Sequence, residues 1–354
     1  MGPLPWREAW HRALYAAGRG FYVTRGGPAA HFTTATHGPT GAALAAALLR
    51  LWLRDHDELP AVVVDVGAGR GELASHLVRA LADLALDESR YAVAPGHDEG
   101  PRPSGGTGRP AHATTRVVAV DVVDRPEGLD ERVEWQRSPG GETLPPELTD
   151  LRDALVVAHE WLDVVPCTVA QVDASGTART VLVDPDTGEE TLGAPLTDDE
   201  EAWLRAHWPA TTPGERIEVG LARDRAWADL VSRVRSGTLL AVDYGHTAGR
   251  RPSGGTLTAY AHGQQTTPVP DGTCDVTAHV AMDSLDADEV STQREALQAL
   301  GVTGATPPHA LARAEPLAYL AALEQTGAEA RLLDRQGFGG FWWALKRVDE
   351  HPVA

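Results

Sequence analysis

Lys346 is the only lysine among 354 residues, and every other basic residue is an arginine. That scarcity, with the load of Ala, Gly and Pro, marks a codon-composition bias and carries no functional signal. Cysteine is nearly as scarce. Cys167 and Cys274 cannot make a disulfide framework or a four-thiolate zinc site. No apolar run can span a bilayer of roughly 30 Å; the longest, Ala42 to Leu53, is broken by Arg50. The amino terminus, MGPLPWREAW, has no basic region followed by an apolar stretch, so no signal peptide is expected. Positive charge is outweighed, with 31 basic against 50 acidic side chains and a net charge of −19. Nucleic-acid affinity depends on clustered cations, which argues against such a partner. The expectation is a cytoplasmic chain with neither nucleic-acid nor membrane partners.

What is present is globular: 42% apolar and 23% charged residues. At about 150 residues per domain the length suits two domains, or one with insertions, and a core needing no staple. Trp6 to Leu53 reads as helix, loop, helix, the second helix beginning near Thr40. Val62–Val66 is a β-branched run suited to a buried parallel strand, and a helix follows from Glu72. The Pro/Gly-rich tract 94–115 cannot bury a core and reads as a disordered insertion. Val117–Asp121, Ala154–Ala158 and Leu239–Asp243 are further buried strands, and Val133–Trp135 is a short one. Strands alternating with helices predict an α/β fold around a mostly parallel sheet. Thr168–Leu192, with its turn signals, predicts an antiparallel hairpin or meander. Arg331–Leu333, the Gly337–Gly340 turn and Phe341–Val348 predict a closing antiparallel β-hairpin.

The sharpest motif is Asp65-Val66-Gly67-Ala68-Gly69-Arg70-Gly71-Glu72. Glycines let a backbone turn tightly and approach a ligand, and the next helix offers unpaired N–H groups. A dinucleotide fingerprint is GxGxxG; here the spacing is GxGxG, and an acid stands two residues before the first glycine. This suits a cationic, phosphate-free cofactor, S-adenosylmethionine, better than a pyrophosphate. An NAD-dependent oxidoreductase is disfavoured on the same ground. Asp65, Gly67, Ala68, Gly69 and Gly71 are the candidate cofactor residues of the loop. Asp121, ending the next strand, is the candidate for the ribose hydroxyls, with Asp124 a rival. The offset from Gly71 is 50 residues, or 28 once the 22-residue tract is removed.

His159-Glu160-Trp161-Leu162-Asp163, then Pro166, follow the Ala154–Ala158 strand. Strand carboxyl ends line the ligand crevice in such sheets, so Glu160, Asp163 and His159 are candidate catalytic groups. The likeness to HExxH is superficial, because a zincin needs a second histidine and a third ligand; no metal is expected.

These residues together resemble the MidA family of class I S-adenosylmethionine-dependent methyltransferases. That family includes a mitochondrial complex I assembly factor that methylates an arginine of a complex I subunit. The matching pieces are Gly20-Phe21-Tyr22 with Phe32-Thr33-Thr34, the Asp65–Gly71 loop, Glu160–Asp163 with Pro166, and Arg216–Val219. Asp243-Tyr244-Gly245-His246, Asp275–Val280 and Thr292-Gln293 also match. The resemblance implies a Rossmann-like, seven-stranded methyltransferase sheet with an inserted substrate lobe. It implies cofactor contacts from Asp65, Gly67, Gly69 and Asp121, and a methyl acceptor, a protein side chain, near Glu160 and Asp163.

On this basis residues 1–55 form an N-terminal helical substrate segment and 56–166 the first part of the cofactor domain. Residues 167–235 form the inserted lobe and 236–350 the remainder. The chain departs from the family's Asp-Phe-x-Thr-x-Pro-Glu segment: His31 and His37 stand where carboxylates are usual, and His159 replaces an asparagine. A guanidinium acceptor needs acids to orient and deprotonate it, so these losses weaken the arginine assignment and leave the cofactor assignment intact. His31, His37 or His159 could serve as a base near neutral pH. The alternative is a catalytically weak, cofactor-binding assembly or scaffold protein.

Overall fold

A computed structural model describes residues 2–24, 34–91 and 115–349. The predicted insertion 94–115, apart from Thr115, and His31 lie outside the described residues.

Seven strands make the larger sheet: β1 (Val62–Val66), β2 (Arg116–Asp121), β3 (Val133–Arg137), β4 (Ala154–His159), β5 (Gly237–Asp243), β6 (Glu289–Thr292) and β7 (Trp342–Val348). Their spatial order is β3-β2-β1-β4-β5-β7-β6. The first five run parallel, while β7 is antiparallel to both β5 and β6. β1 is buried along its whole length, which is why its sequence is a continuous valine run and not an alternation. Successive side chains feed two separate cores. On one face Val63, Leu155 and Leu240 meet helices α1 (Gly38–Asp55), α2 (Glu72–Tyr91) and α4 (Pro316–Leu332) through Leu44, Leu48, Leu73, Leu77 and Leu332. On the other Val64, Val156 and Leu239 meet Trp227 and Leu230 of α3 (Leu221–Ser232).

The order reverses at β1, with β2 on one side and β4 on the other. Register aligns Val66 with Val120 and with Ala158, and His159 with Val242, so the strands' carboxyl ends open into one crevice. Such switch points are where open α/β sheets bind ligands.

A second sheet lies beside the first. Thr168–Val172, Ala178–Val183 and Glu190–Pro195 form the expected antiparallel meander, extended by Arg216–Val219 and the short strand Leu4–Pro5. The helix Trp6–Tyr15 packs Trp6, Trp10 and Leu14 on this sheet and on Val276 of a small three-stranded sheet. Trp10 Nε1 donates to the Val276 carbonyl at 2.8 Å.

The closing hairpin is a correction. Arg331 and Leu332 end helix α4, and β7 pairs with β5 and β6, which lie far back in the chain. Leu332 and Leu333 are indeed buried, but as the helix face that packs on α1 and the sheet. The apolar residues that mimic a strand arm are helical core positions. The turn after them is a 3₁₀ segment, Phe338–Gly340, not a hairpin loop.

Candidate active site

The glycine loop between β1 and α2 is held by the neighbouring strand. The N–H groups of Gly67 and Ala68 both donate to the Val120 carbonyl, at 2.9 and 3.1 Å. Gly69 N–H donates to Asp121 Oδ2 at 2.7 Å. Gly67, Gly69 and Gly71 have φ of 75°, 60° and 79°, a region that L side chains resist. A Cβ on Gly71 would also stand 2.6 Å from Leu129 Cδ1, whereas one on Gly69 would meet only Glu72 Oε2 at 3.8 Å. The loop is therefore closed beneath and open above Gly69.

Above it lies an open cleft. Asp65, Gly67, Ala68, Gly69, Asp121, His159 and Glu160 all line it. Gly71 does not; its N–H closes the turn onto the Ala68 carbonyl at 2.8 Å. Asp124 is displaced from the site: its side chain is 85% exposed and pairs with Arg137. Asp121 is thus the acid at the cleft, and burial pushes its carboxyl up to about 6 against the pull of three backbone N–H donors. Asp65 is buried, accepts from Ala74 N–H at 3.2 Å, and is raised by that burial to about 7 although His159 opposes the shift.

Beyond β4 the chain turns sharply. Glu160 has φ of 52°, left-handed for a residue with a full side chain, and its N–H is tied to Val242 O at 2.8 Å. Strain of this kind, of order 1–3 kcal/mol, gathers where a side chain must be aimed. Asp243, fully buried at the end of β5, builds the next turn: its Oδ2 accepts from Leu162 N–H and Asp163 N–H at 3.0 and 3.1 Å.

Asp163 sits just behind the cleft, 5% exposed, its Oδ2 accepting from the Thr277 hydroxyl at 2.7 Å. Burial and the Glu160 charge raise it to about 6. Asp275 lies on the same short strand as Thr277; burial lifts it to about 8, and it accepts from Tyr22 OH at 2.6 Å. Three buried polar atoms in this region have no hydrogen-bond partner: His159 Nε2, Glu160 Oε1 and Asp163 Oδ1. A buried unsatisfied polar atom costs about 1–3 kcal/mol, and three within five residues call for an explanation. The donor set, an open glycine cradle plus unpaired carboxylate oxygens, fits a ligand that is cationic and phosphate-free.

His37 lines the cleft at a different place, 3.5 Å from Glu72 across Nε2 and Oε1. Tyr22, of the Gly20-Phe21-Tyr22 piece, also forms cleft wall, as do Tyr15 and the Gly140-Gly141 turn, which the sequence did not single out. The paired glycines were the available signal: a Cβ on Gly140 would come within 2.5 Å of the Tyr15 ring.

The model of the S-adenosyl-L-methionine-dependent methyltransferase family Methyltransf_28 matches residues 111–303, more than half of the chain. No curated protein matches. Two crystal structures of COG1565 superfamily proteins from Burkholderia thailandensis share the fold. One, a native structure, has TM-score 0.68 and 23% identity, covering 98% of this chain and 87% of that one. The other, bound to S-adenosyl-homocysteine, has TM-score 0.69 and 22% identity, covering 97% and 87%. No helix among the described residues is long and apolar enough to cross a membrane. With a family match of that extent, the chain belongs to the S-adenosyl-L-methionine-dependent methyltransferases of the Methyltransf_28 family.

Proposed function

We propose that this class I, Rossmann-like methyltransferase modifies a cationic nitrogen of a protein side chain, with the guanidinium of arginine as the best-suited acceptor. The observation that carries it is the pair of unsatisfied acid oxygens, Glu160 Oε1 and Asp163 Oδ1, at the end of β4. The acid missing at position 37 does not weaken this site, because His37 faces Glu72 at the start of α2 and not the β4 turn.

The cofactor supplies an electrophilic methyl group, and Asp65, Gly67, Gly69 and Asp121 are the residues to hold it. Glu160, aimed by its left-handed backbone, orients the acceptor for in-line attack. Positioning of this kind is worth up to about 7–11 kcal/mol in aligned systems. A guanidinium is protonated at any physiological pH, with a pKa above about 12, so nitrogen attack must be accompanied by proton loss. Glu160 or Asp163 receives that proton as the new N–C bond forms and the C–S bond breaks. Asp163, raised to about 6, holds a proton more readily than an ordinary aspartate.

Methyl-labelled S-adenosylmethionine offered with separate pools of arginine-, lysine- and histidine-containing peptides tests this. Label should appear as methylarginine, and Glu160→Gln should lower the rate by roughly 10²–10⁴. Labelling of another side chain, or an undiminished rate in the variant, would assign the acceptor or its acid differently.

A further inference from the structure

Two aromatic side chains stand open to solvent at the carboxyl end of the large sheet. Tyr244, the residue after β5, is 38% exposed. Its ring stacks on that of His279, also exposed, with centroids 6.0 Å apart and 21° between the planes. The buried Phe341 packs against Tyr244 at 4.3 Å between centroids and against His159 at 6.0 Å. A row of rings therefore runs from His159, in the wall of the cleft, out to Tyr244 and His279. Neither of those two lines the cleft itself.

The backbone locks this pair to the turn that carries Glu160. Asp243 Oδ2 already holds Leu162 N–H and Asp163 N–H, and its Oδ1 accepts from Tyr244 N–H at 2.9 Å. Glu160 N–H is tied to Val242 O, two residues before Tyr244. Val280 N–H donates to the Tyr244 carbonyl at 2.8 Å, which fixes the His279 segment beside it. The Glu160 charge is felt at the ring: partial burial, and then that carboxylate, push the Tyr244 phenol well above its ordinary range. Partial burial, and then the Arg223 guanidinium, lower the His279 imidazole, which leaves it uncharged at neutral pH. Uncharged ring faces attract a cation held within about 6 Å of the centroid. The orphaned Glu160 Oε1 adds a negative charge next to them.

We infer that Tyr244, flanked by His279, is the platform on which the cationic acceptor side chain lies while Glu160 holds its nitrogen. A guanidinium is planar and weakly hydrated, so it stacks on such a face better than an ammonium does. Glu160 then serves two compartments, the cofactor cleft on one side and the ring pair on the other. The acceptor nitrogen meets the methyl group from the side away from sulfur, as in-line displacement requires. The new N–C bond forms as the C–S bond breaks, and the proton leaves to Glu160 or Asp163. The inference rests on the acceptor reading above and adds the face from which the acceptor arrives and a ring that selects it.

Steady-state transfer from methyl-labelled S-adenosylmethionine to the arginine-containing peptide pool, at varied peptide concentration, tests this on the full-length protein. Tyr244→Leu should raise the apparent KM for peptide roughly 5- to 30-fold, the loss expected for one partly desolvated cation–ring contact. Its kcat should stay within about twofold of wild type. Tyr244→Phe, which keeps the ring face, should behave like wild type. Calorimetry with S-adenosylhomocysteine should give the wild-type affinity in both variants, which also certifies the folded site. An unchanged KM in Tyr244→Leu would overturn the inference, and so would a Phe variant as impaired as the Leu variant. Loss of S-adenosylhomocysteine affinity would assign the ring to the cofactor instead. Wild-type protein that labels no arginine peptide would remove the acceptor reading and this inference together, a failure visible before any variant is made.

Discussion

Gly69 donates its backbone N–H to Asp121 Oδ2 at 2.7 Å, joining the tip of the glycine loop to the end of the adjacent strand. The other oxygen, Oδ1, accepts from Val122 N–H at 2.7 Å. One carboxylate therefore fixes the loop's shape while keeping lone pairs for a ligand, since an ionised acid has about four acceptor positions. Asp121→Ala should weaken S-adenosylhomocysteine roughly 10- to 100-fold through lost charge-assisted bonds. Asp121→Asn, which keeps an acceptor for Gly69, should lose less. Titration calorimetry on the two variants checks the order; equal affinities would mean that the charge is immaterial and only the loop contact counts.

Arg223 is 1% exposed and shares out its guanidinium entirely to carbonyls: Nε to Val165 O at 3.1 Å, Nη1 to His279 O at 2.8 Å and Nη2 to Asp163 O at 2.7 Å. It lies over the Trp10 ring, 5.6 Å from the centroid. The side chain thus pins the turn carrying Asp163 to helix α3, to the N-terminal helix and to the segment carrying His279. Arg223→Met should destabilise by about 3–5 kcal/mol, because three buried acceptors lose their donor. Arg223→Lys should recover less than half of that, since a single ammonium cannot reproduce the planar fork. Urea denaturation of both variants measures it, and a full rescue by lysine would show that charge alone suffices there.

What could be seen in the sequence was what neighbours in sequence decide. The valine run of β1, the glycine loop and the strand-end position of Glu160 are each set by a few adjacent residues, and the structure brings them to one cleft. What stayed hidden depends on contacts between distant segments. Tyr22 meets Asp275 across 253 residues, and Thr277 meets Asp163 across 114. These meetings follow from how the strand Asp275–Thr277 of the small three-stranded sheet packs, which no local periodicity encodes. Helix α4 was missed for a different reason: its leucines are not confined to one stripe, Leu317 and Leu320 being 83% and 60% exposed. Without a 3.6-residue face the segment gives no helical signal, and its apolar end passes for a strand.

Asp275 makes the stability of the protein depend on pH in a direction opposite to the usual salt-bridged acid. Burial lifts its carboxyl to about 8, whereas in the unfolded chain an aspartate titrates near 3.9. Below pH of about 4 both states are protonated and the group contributes no difference. As the pH rises from there towards 8, the unfolded chain releases the proton that the folded chain keeps, and stability falls throughout that window. Asp65 and Asp163, raised to about 7 and about 6, act with the same sign. Asp275→Asn removes one such group while leaving an oxygen to accept from the Tyr22 hydroxyl. Relative to wild type the variant should therefore gain stability between pH 5 and pH 8, by about 2–5 kcal/mol, and should be close to neutral at pH 4. Thermal melts of both proteins across that range read the difference directly. A constant difference at all pH values would place the Asp275 carboxyl in the ordinary range and transfer the pH dependence to Asp65 and Asp163.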